Sequence, residues 1–539
     1  MDHHLSQGFF QYIDLFFAQR VLKRLKSDDE AHAALLATLF AFSRQGHLAL
    51  DLSDEMLEGS LKELVQKGAA TFPAHAIADM IHGSTSSNAW ICRRGSYYYL
   101  QKNWAHETHI LEQIERLKSC IPAIPMTLST VELSLNVAQK KALENAMNYS
   151  LSLLTGGPGT GKTFTAAELV KACLQCCPTL RILLTAPTGK AVSQLEGNLK
   201  SVLIAKAGTL HATLGIKPHV YEEEETSLLP YDLVIVDECS MIDAKVFSRL
   251  LCSVPNGARL VLIGDKDQLP PVEAGSIFAD LIEMDRCPST HLTECLRSDR
   301  NEILALAHHI KEGNEAAALH CLQNGSDVTW AEFDDKQLLE KLWREYNKHF
   351  PGGYSELPQA GQLFEALGRF GLLSSMRQGT LGVDAINRYF LYQSMRQAQE
   401  DSWWIAPIMI TRNDYELELY NGDLGFLVRK FTDDLLLRQF GLDDYFLLLD
   451  RKGNPRQIAA LNVTAFEYSY CLSVHKSQGS EYDEAVILIP PGSENFGREI
   501  LYTAVTRSRY KVTLICSKEL FTQAVRSSSR KKSGLCSRP

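Results

Sequence analysis

Gly156-Gly157-Pro158-Gly159-Thr160-Gly161-Lys162-Thr163 is the stretch that most restricts what this chain can fold into. The pattern G-x-x-x-x-G-K-[ST] works only if a strand delivers the loop and a helix starts at its end. The loop's N–H groups then curl round phosphate oxygens, and the helix adds its positive end. Both flanks are predicted, since residues 151–155 form a short β-rich apolar run and 164–176 an unbroken helical pattern. In that setting Lys162 reaches the β- and γ-phosphates of ATP, and the Thr163 hydroxyl ligates Mg²⁺.

Further apolar runs at 181–186, 233–237 and 259–264 alternate with helical patterns, the signature of a parallel α/β sheet. The run at 233 ends in Asp237 and Glu238, which supply a Mg²⁺ partner and a general base for water. After the run at 259, Gln268 falls at the strand's carboxyl end, where it can touch both the γ-phosphate and a moving element. ATP hydrolysis follows from these pieces, whereas the polymer worked upon does not.

Length and composition bound the rest. A chain of 539 residues, 45% hydrophobic and 22% charged, has room for three or four cores. Residues 1–118 read as mainly helical, at 9–26, 30–42 and 107–118, with an extended pair near Trp90-Ile91-Cys92 and Tyr97-Tyr98-Tyr99-Leu100. The first α/β region is assigned to 119–345 and a second to 346–525, whose runs at 485–490 and 512–516 flank a helix near 498–509. Within the second, short strands and turns over about 415–465 predict a small β-barrel insertion. Residues 526–539 carry five basic side chains, no acid and several Ser, and are expected to be disordered.

With 55 Lys+Arg against 64 Asp+Glu, the net charge of −9 argues against a non-specific coat on nucleic acid or anionic membrane. It leaves room for a locally basic groove. No run approaches the roughly 18 apolar residues of a membrane span. Thirteen Cys show no repeated ligand spacing, and Cys173, Cys176 and Cys177 read as packed thiols on a helix. A reduced cytoplasmic setting is the expectation.

These residues resemble a known family. The phosphate loop, Thr185-Ala186-Pro187-Thr188-Gly189-Lys190-Ala191, Asp237-Glu238-Cys239-Ser240-Met241 and Gly264-Asp265-Lys266-Asp267-Gln268-Leu269-Pro270 look like superfamily 1 helicase motifs I, Ia, II and III. Leu292-Thr293-Glu294-Cys295-Leu296-Arg297 is similar to motif IV. Ser473-Val474-His475-Lys476-Ser477-Gln478-Gly479-Ser480-Glu481 is similar to motif V, and Tyr502-Thr503-Ala504-Val505-Thr506-Arg507 to motif VI. Leu372-Leu373-Ser374-Ser375-Met376-Arg377-Gln378-Gly379 and Leu419-Tyr420-Asn421-Gly422-Asp423 narrow the resemblance to the RecD family, the superfamily 1B alpha subunits of bacterial exodeoxyribonuclease V. It spans about 119–518.

The resemblance implies two RecA-like P-loop NTPase domains with ATP between them, a helical partner-docking domain at 1–118 and an SH3-like insertion. It implies that Gln139 reads adenine, that Gly156 to Thr163 hold the phosphates, and that Glu481 lies near the ribose. It casts Arg297 and Arg507 as arginine fingers beside the catalytic Lys162, Asp237, Glu238 and Gln268. Single-stranded DNA would meet Thr188, Lys190, Thr209 and His211 on one domain and His475, Ser477 and Gln478 on the other.

The implied activity is 5′→3′ unwinding at double-strand ends for recombinational repair, in a heterotrimer with RecB-like and RecC-like subunits. A stand-alone helicase and an idle structural subunit are the rivals. Glu222–Glu225 reads as a solvated loop where a duplex-splitting wedge would sit. Asp450-Arg451-Lys452, superficially a nuclease D-x-K, reads as a hairpin turn, so no nuclease centre is expected and cutting falls to the RecB-like partner.

Overall fold

The computed structural model describes residues 9–538 apart from 54–56, 58, 74–75, 80–88, 127–134, 199–204, 217–226, 295–300, 333–336, 401, 415, 432–438 and 452. Helices Tyr12–Leu25, Glu30–Arg44, Gly59–Thr71 and Gln101–Ser119 dominate the N-terminal part. The second starts where the Asp29 carboxylate accepts from the N–H of Ala31, a local cap that helix formation favours. The expected extended pair is an antiparallel hairpin, β3 (Ile91–Arg94) with β4 (Tyr97–Leu100), inside a sheet completed by β1 (Leu50–Asp51) and β2 (Ile77–Asp79). Ile110, Ile114 and Leu117 of the last helix are buried in the core of the next domain, so the boundary near 118 is a packed junction.

The first α/β domain has six parallel strands: β5 (Leu151–Gly156), β6 (Ile182–Ala186), β7 (Ala205–Thr209), β8 (Leu233–Val236), β9 (Arg259–Gly264) and β10 (Ser289–Leu292). Their order is β10-β5-β9-β8-β6-β7. Strands β5, β6, β8 and β9 are buried along their whole length, which is why their sequences read as unbroken apolar runs. Each large aliphatic side chain so enclosed contributes roughly 1.5–3 kcal/mol.

The second domain has its own parallel sheet, β11 (Val328–Ala331), β12 (Phe370–Ser374), β18 (Leu472–Ser473), β19 (Tyr482–Leu488) and β20 (Ser508–Ile515), ordered β11-β20-β19-β12-β18. This moves the expected boundary. Strand β11 pairs in parallel with β20, and Ile303, Leu306, Ile310 and Leu322 of the preceding helices share a core with Ile500, Leu501 and Val512. Residues 301–331 therefore belong to the second domain and not to a first domain ending at 345.

Between β12 and β18 lies a five-stranded antiparallel sheet: β13 (Trp403–Ile410), β14 (Leu424–Lys430), β15 (Tyr445–Leu449), β16 (Pro455–Ala459) and β17 (Phe466–Tyr468), in the order β16-β15-β14-β13-β17. It occupies the place of the expected insertion but starts earlier, at Trp403. Asp450 and Asn454 close the β15–β16 turn, the Asn454 N–H donating to the Asp450 carboxylate at 2.8 Å.

The expected disorder of 526–539 is overturned over the described residues, 526–538. Helix Lys518–Arg526 runs on into a segment that crosses both α/β domains. The N–H and hydroxyl of Ser529 donate to Glu499 at 2.8 and 3.1 Å, and Arg530 pairs with Asp280 at 2.6 Å and with Glu283. Leu535 is fully buried, and the Arg538 guanidinium lies 3.7 Å from the centroid of Trp104 and 3.5 Å from Glu107. The acids that order this basic segment come from distant parts of the chain, so local composition does not show them. Among the described residues no helix is long and apolar enough to cross a membrane. Glu222–Glu225 lies outside the described residues.

Candidate nucleotide cleft and nucleic-acid face

Strand β5 delivers the phosphate loop and helix Lys162–Cys176 leaves it, as the sequence predicts. Gly159 and Gly161 take φ of 78° and 85°, left-handed conformations that side chains rarely adopt, which is how the loop curls tightly enough to aim its N–H groups inward. The Thr160 hydroxyl braces the loop by donating to the Gly157 carbonyl at 2.8 Å. Lys162 donates back to the carbonyls of Gly156 (2.7 Å) and Gly157 (3.1 Å), so its charge is poised beside the loop.

Thr163 and Asp237 meet, Oγ1 to Oδ2, at 3.5 Å. Burial pushes the Asp237 carboxyl up to about 6, with the neighbouring Glu238 charge adding to the rise. Glu238 itself sits at φ 53°, a strained conformation for a residue with a side chain, at the head of the short turn Cys239–Met241. Gln268 is 5% exposed; its Nε2 donates to Asp265 at 3.4 Å and its Oε1 has no protein partner.

Opposite stands helix Gly497–Val505, with Arg507 just beyond its end. Arg507 is buried and donates to the carbonyls of Thr503 (3.0 Å) and Ser480 (3.3 Å). Lys162, Thr163, Asp237, Glu238, Gln268 and Arg507 line one cleft of about 560 Å³ between the two domains. Pro158, Gly159, Gly161 and Glu481 line it too, the Glu481 carboxylate held by Arg509 at 3.1 Å. Gln139 caps its own helix, Oε1 accepting from the N–H of Asn136 at 3.1 Å, while its Nε2 is buried with no protein partner. Arg297 lies outside the described residues.

The residues expected to touch nucleic acid are not equivalent. Thr188 and Thr209 cap helices, accepting from the N–H groups of Ala191 (3.3 Å) and Ala212 (3.4 Å), and His211 is exposed. Lys190 is half-buried against the other domain, where it donates to the Ser480 hydroxyl at 2.6 Å. Burial, with Arg507 adding repulsion, draws its ammonium down to about 8. His475 is partly buried with its ring edge-on to Phe496, and burial lowers its pKa. Ser477 departs from the expectation, being fully buried and spending its hydroxyl on the Val474 carbonyl at 2.8 Å inside its own turn. Gln478 is buried too, its Nε2 without a protein partner.

Sequence reading missed several cross-domain contacts. Gln194 donates to the Gly479 carbonyl at 2.8 Å, Tyr502 to Asp265 at 2.9 Å, and the Leu269 N–H to the Thr503 hydroxyl at 2.9 Å. No local spacing announces them, since the partners stand 234 to 285 positions apart.

Comparison with known proteins fits this geometry. A family described as an AAA domain matches residues 134–332, and a UvrD-like helicase C-terminal domain matches 468–515. The RecBCD enzyme subunit RecD of Mycolicibacterium smegmatis is 31% identical over 97% of this chain and 96% of its own length. The RecD subunit of Mycobacterium tuberculosis is 30% identical over 98% and 94%. An ATP-dependent RecD2 DNA helicase of Deinococcus radiodurans is 31% identical, over 70% of this chain and 48% of that one. The likeness to the first two runs through the N-terminal domain, both α/β domains and the sheet inserted in the second, and the chain belongs to the RecD family.

Proposed function

We propose that this chain is the ATP-driven 5′→3′ DNA helicase subunit of a RecBCD-like helicase–nuclease, acting at double-strand ends with RecB-like and RecC-like subunits. One observation carries the reading: a single cleft sets Lys162, Asp237, Glu238 and Gln268 of one domain against Arg507 of the other. A cleft of that kind hydrolyses ATP fully only when its two walls are together, which is what turns a bond cleavage into a domain movement.

Lys162 exchanges the carbonyls of its own loop for β- and γ-phosphate oxygens. Thr163 and Asp237, two hard oxygen donors 3.5 Å apart, would hold Mg²⁺, which when bound neutralises phosphate charge. Glu238 accepts the proton of the attacking water, and Gln268 orients that water. Arg507, joined by Arg297, stabilises charge on the transferring phosphoryl group. Gln139 offers its unpartnered Nε2 to adenine, and Glu481 faces the ribose.

Thr188, Thr209 and His211 on one domain, with His475 and Gln478 on the other, meet the phosphates of single-stranded DNA. Lys190 joins them only when it is released from Ser480, so its grip on the strand alternates with closure of the cleft. Such contacts use hydroxyls and backbone more than cations, which agrees with a net charge of −9. A reduced cytoplasmic setting fits the twelve free cysteines among the described residues.

The likeness favours the subunit over the stand-alone enzyme, because it runs over 97% of this chain for a RecD subunit and over 70% for a RecD2 helicase. The test is Lys162→Gln. It should abolish ATP hydrolysis stimulated by single-stranded DNA while leaving co-purification with two larger subunits intact. The unaltered chain should unwind 5′-tailed duplexes and leave 3′-tailed ones paired. Normal turnover in the variant, or unwinding of 3′-tailed duplexes alone, refutes the proposal.

A further inference from the structure

The contacts across the cleft include one pair whose polar ends meet between the domains, although the tyrosine ring packs in the core of the second. Asp265 follows β9 and is 1% exposed; Tyr502, on helix Gly497–Val505 of the other domain, is 5% exposed. The Tyr502 hydroxyl donates to Asp265 Oδ2 at 2.9 Å. That same oxygen accepts from Gln268 Nε2 at 3.4 Å, while Oδ1 accepts from the N–H of Asp267 at 3.1 Å. One carboxylate thus joins a side chain of the second domain to the side-chain amide of Gln268 in the first. The tyrosine also lies against the phosphate loop, for a Cβ placed on Gly157 would stand 3.2 Å from its hydroxyl.

A phenol beside a carboxylate is the donor, and the geometry has Tyr502 giving the bond. The Tyr502 hydroxyl is held well above its ordinary value by burial and by the adjacent carboxylate, so it keeps its proton and gives the hydrogen bond. Asp265 then has one lone pair engaged by Tyr502 and another by Gln268. With its Nε2 tied to Asp265, Gln268 must present Oε1 away from the carboxylate, and Oε1 is the atom left buried without a protein partner. A buried amide oxygen with no protein partner is costly unless water or a ligand meets it. The backbone reinforces the arrangement, since the Leu269 N–H, one residue on from Gln268, donates to Thr503, one residue on from Tyr502.

We infer that Tyr502 is a positioning residue for ATP hydrolysis. It reaches across the closed cleft to fix Asp265, and through Asp265 it sets the orientation of the Gln268 amide. When the domains part, Tyr502 leaves with its helix and Asp265 loses the bond that holds it. Gln268 is then free to turn, and the water it orients is no longer aimed. The second domain thereby gates hydrolysis through a hydroxyl as well as through Arg507. This inference rests on the proposed ATPase reading.

The experiment uses the full chain with MgATP and oligo(dT), comparing the unaltered protein with Tyr502→Phe, Asp265→Asn, Gln268→Ala and the double variant Tyr502→Phe/Gln268→Ala. Misplacing a catalytic group by about 1 Å is expected to lower kcat by about tenfold to a hundredfold. Both Tyr502→Phe and Asp265→Asn should show that fall with KM for ATP and affinity for a fluorescent ADP analogue within about twofold. Phe keeps the ring and its packing, and Asn keeps the shape of Asp265 but offers one acceptor oxygen where the carboxylate uses two, so either variant alone can decide the matter.

In the Gln268→Ala background, Tyr502→Phe should change nothing further. Full turnover in Tyr502→Phe, or an equal extra loss on top of Gln268→Ala, overturns the inference. A raised KM with unchanged kcat also overturns it, as a plain domain contact would give. If the unaltered chain hydrolyses no ATP, the functional reading itself fails, a result distinguishable from all of these.

Discussion

The nucleotide cleft and the segment from Ser527 to Arg538 are both crowded with charge, and both join domains, yet they are finished differently. In the cleft, Gln268 Oε1 and Gln139 Nε2 are buried without protein partners, Glu238 is bent to φ 53°, and Lys162 rests on carbonyls of its own loop. Along the segment, cations meet groups of the protein itself: Arg530 with Asp280, Arg538 with Glu107 and the Thr108 hydroxyl. Orphaned polar atoms alone do not separate the two, since Arg538 Nε and Glu107 Oε2 are also buried without a hydrogen-bond partner. Backbone strain at Glu238 and a lysine resting on its own loop mark the place kept for a ligand, and charge paired between distant parts of the chain marks the place that holds the molecule together. Substitutions should therefore divide into those that stop chemistry and those that loosen the fold.

The largest effect is expected at Glu238. Glu238→Gln removes the proposed base and should lower kcat by about 10²–10⁴-fold, with the thermal midpoint moving by no more than about 1 °C. A variant that unfolds several degrees early would erase the distinction between the two regions.

Next comes Arg538→Ala, which leaves Glu107 buried with its opposing charge removed. A loss of about 3–5 kcal/mol is expected, read as a lower thermal midpoint at pH 8, while turnover per folded molecule stays unchanged. A loss of turnover without a loss of stability would mean that the segment serves the chemistry.

A pH titration sharpens the point. Burial pushes Glu107 up to about 7, even though the Gly534 N–H and Arg538 both favour its charged form. A carboxyl with a raised folded-state pKa contributes stability in full below its ordinary value of 4.5. That contribution is lost as pH rises through about 7. Thermal midpoints from pH 4.5 to 8 should thus slope downward in the unaltered protein, and Glu107→Gln should flatten part of that slope. An unchanged slope would show that Glu107 is ionised throughout.

The smallest effect is expected at Arg526, whose exposed pairing with Glu315 should be dispensable. Arg526→Ala should leave both turnover and thermal midpoint where they are.

What could be read from the residues follows the same division. The phosphate loop, the Asp237-Glu238 strand end and Gln268 were legible because ligand chemistry demands particular residues at fixed local spacings. The assignment of 301–331 was not, because Val328 finds its partner strand at Val512. Nor was the order of 527–538: four cations and several serines read as disorder, and nothing nearby announces Glu107, Asp280 or Glu499. Ser477 shows a third kind of failure. Its residue type suited a strand contact, but its hydroxyl is used within its own turn. Tyr502 was visible in its motif and carried no assigned role, since only the packed structure brings it to Asp265.

The reach of that segment has a consequence for synthesis. Gly534 and Arg538 meet Glu107 and Thr108 across 427 and 430 positions. At about 5–20 residues per second, roughly 20–90 s separate the ribosome's making one side of these contacts from its making the other. The part of the protein made first is thus among the last to be completed. Until then Trp104 and the Glu107 carboxylate lack the guanidinium that faces both of them in the finished fold. A chain without residues 534–538 would leave the Glu107 carboxylate without the N–H and the guanidinium that face it.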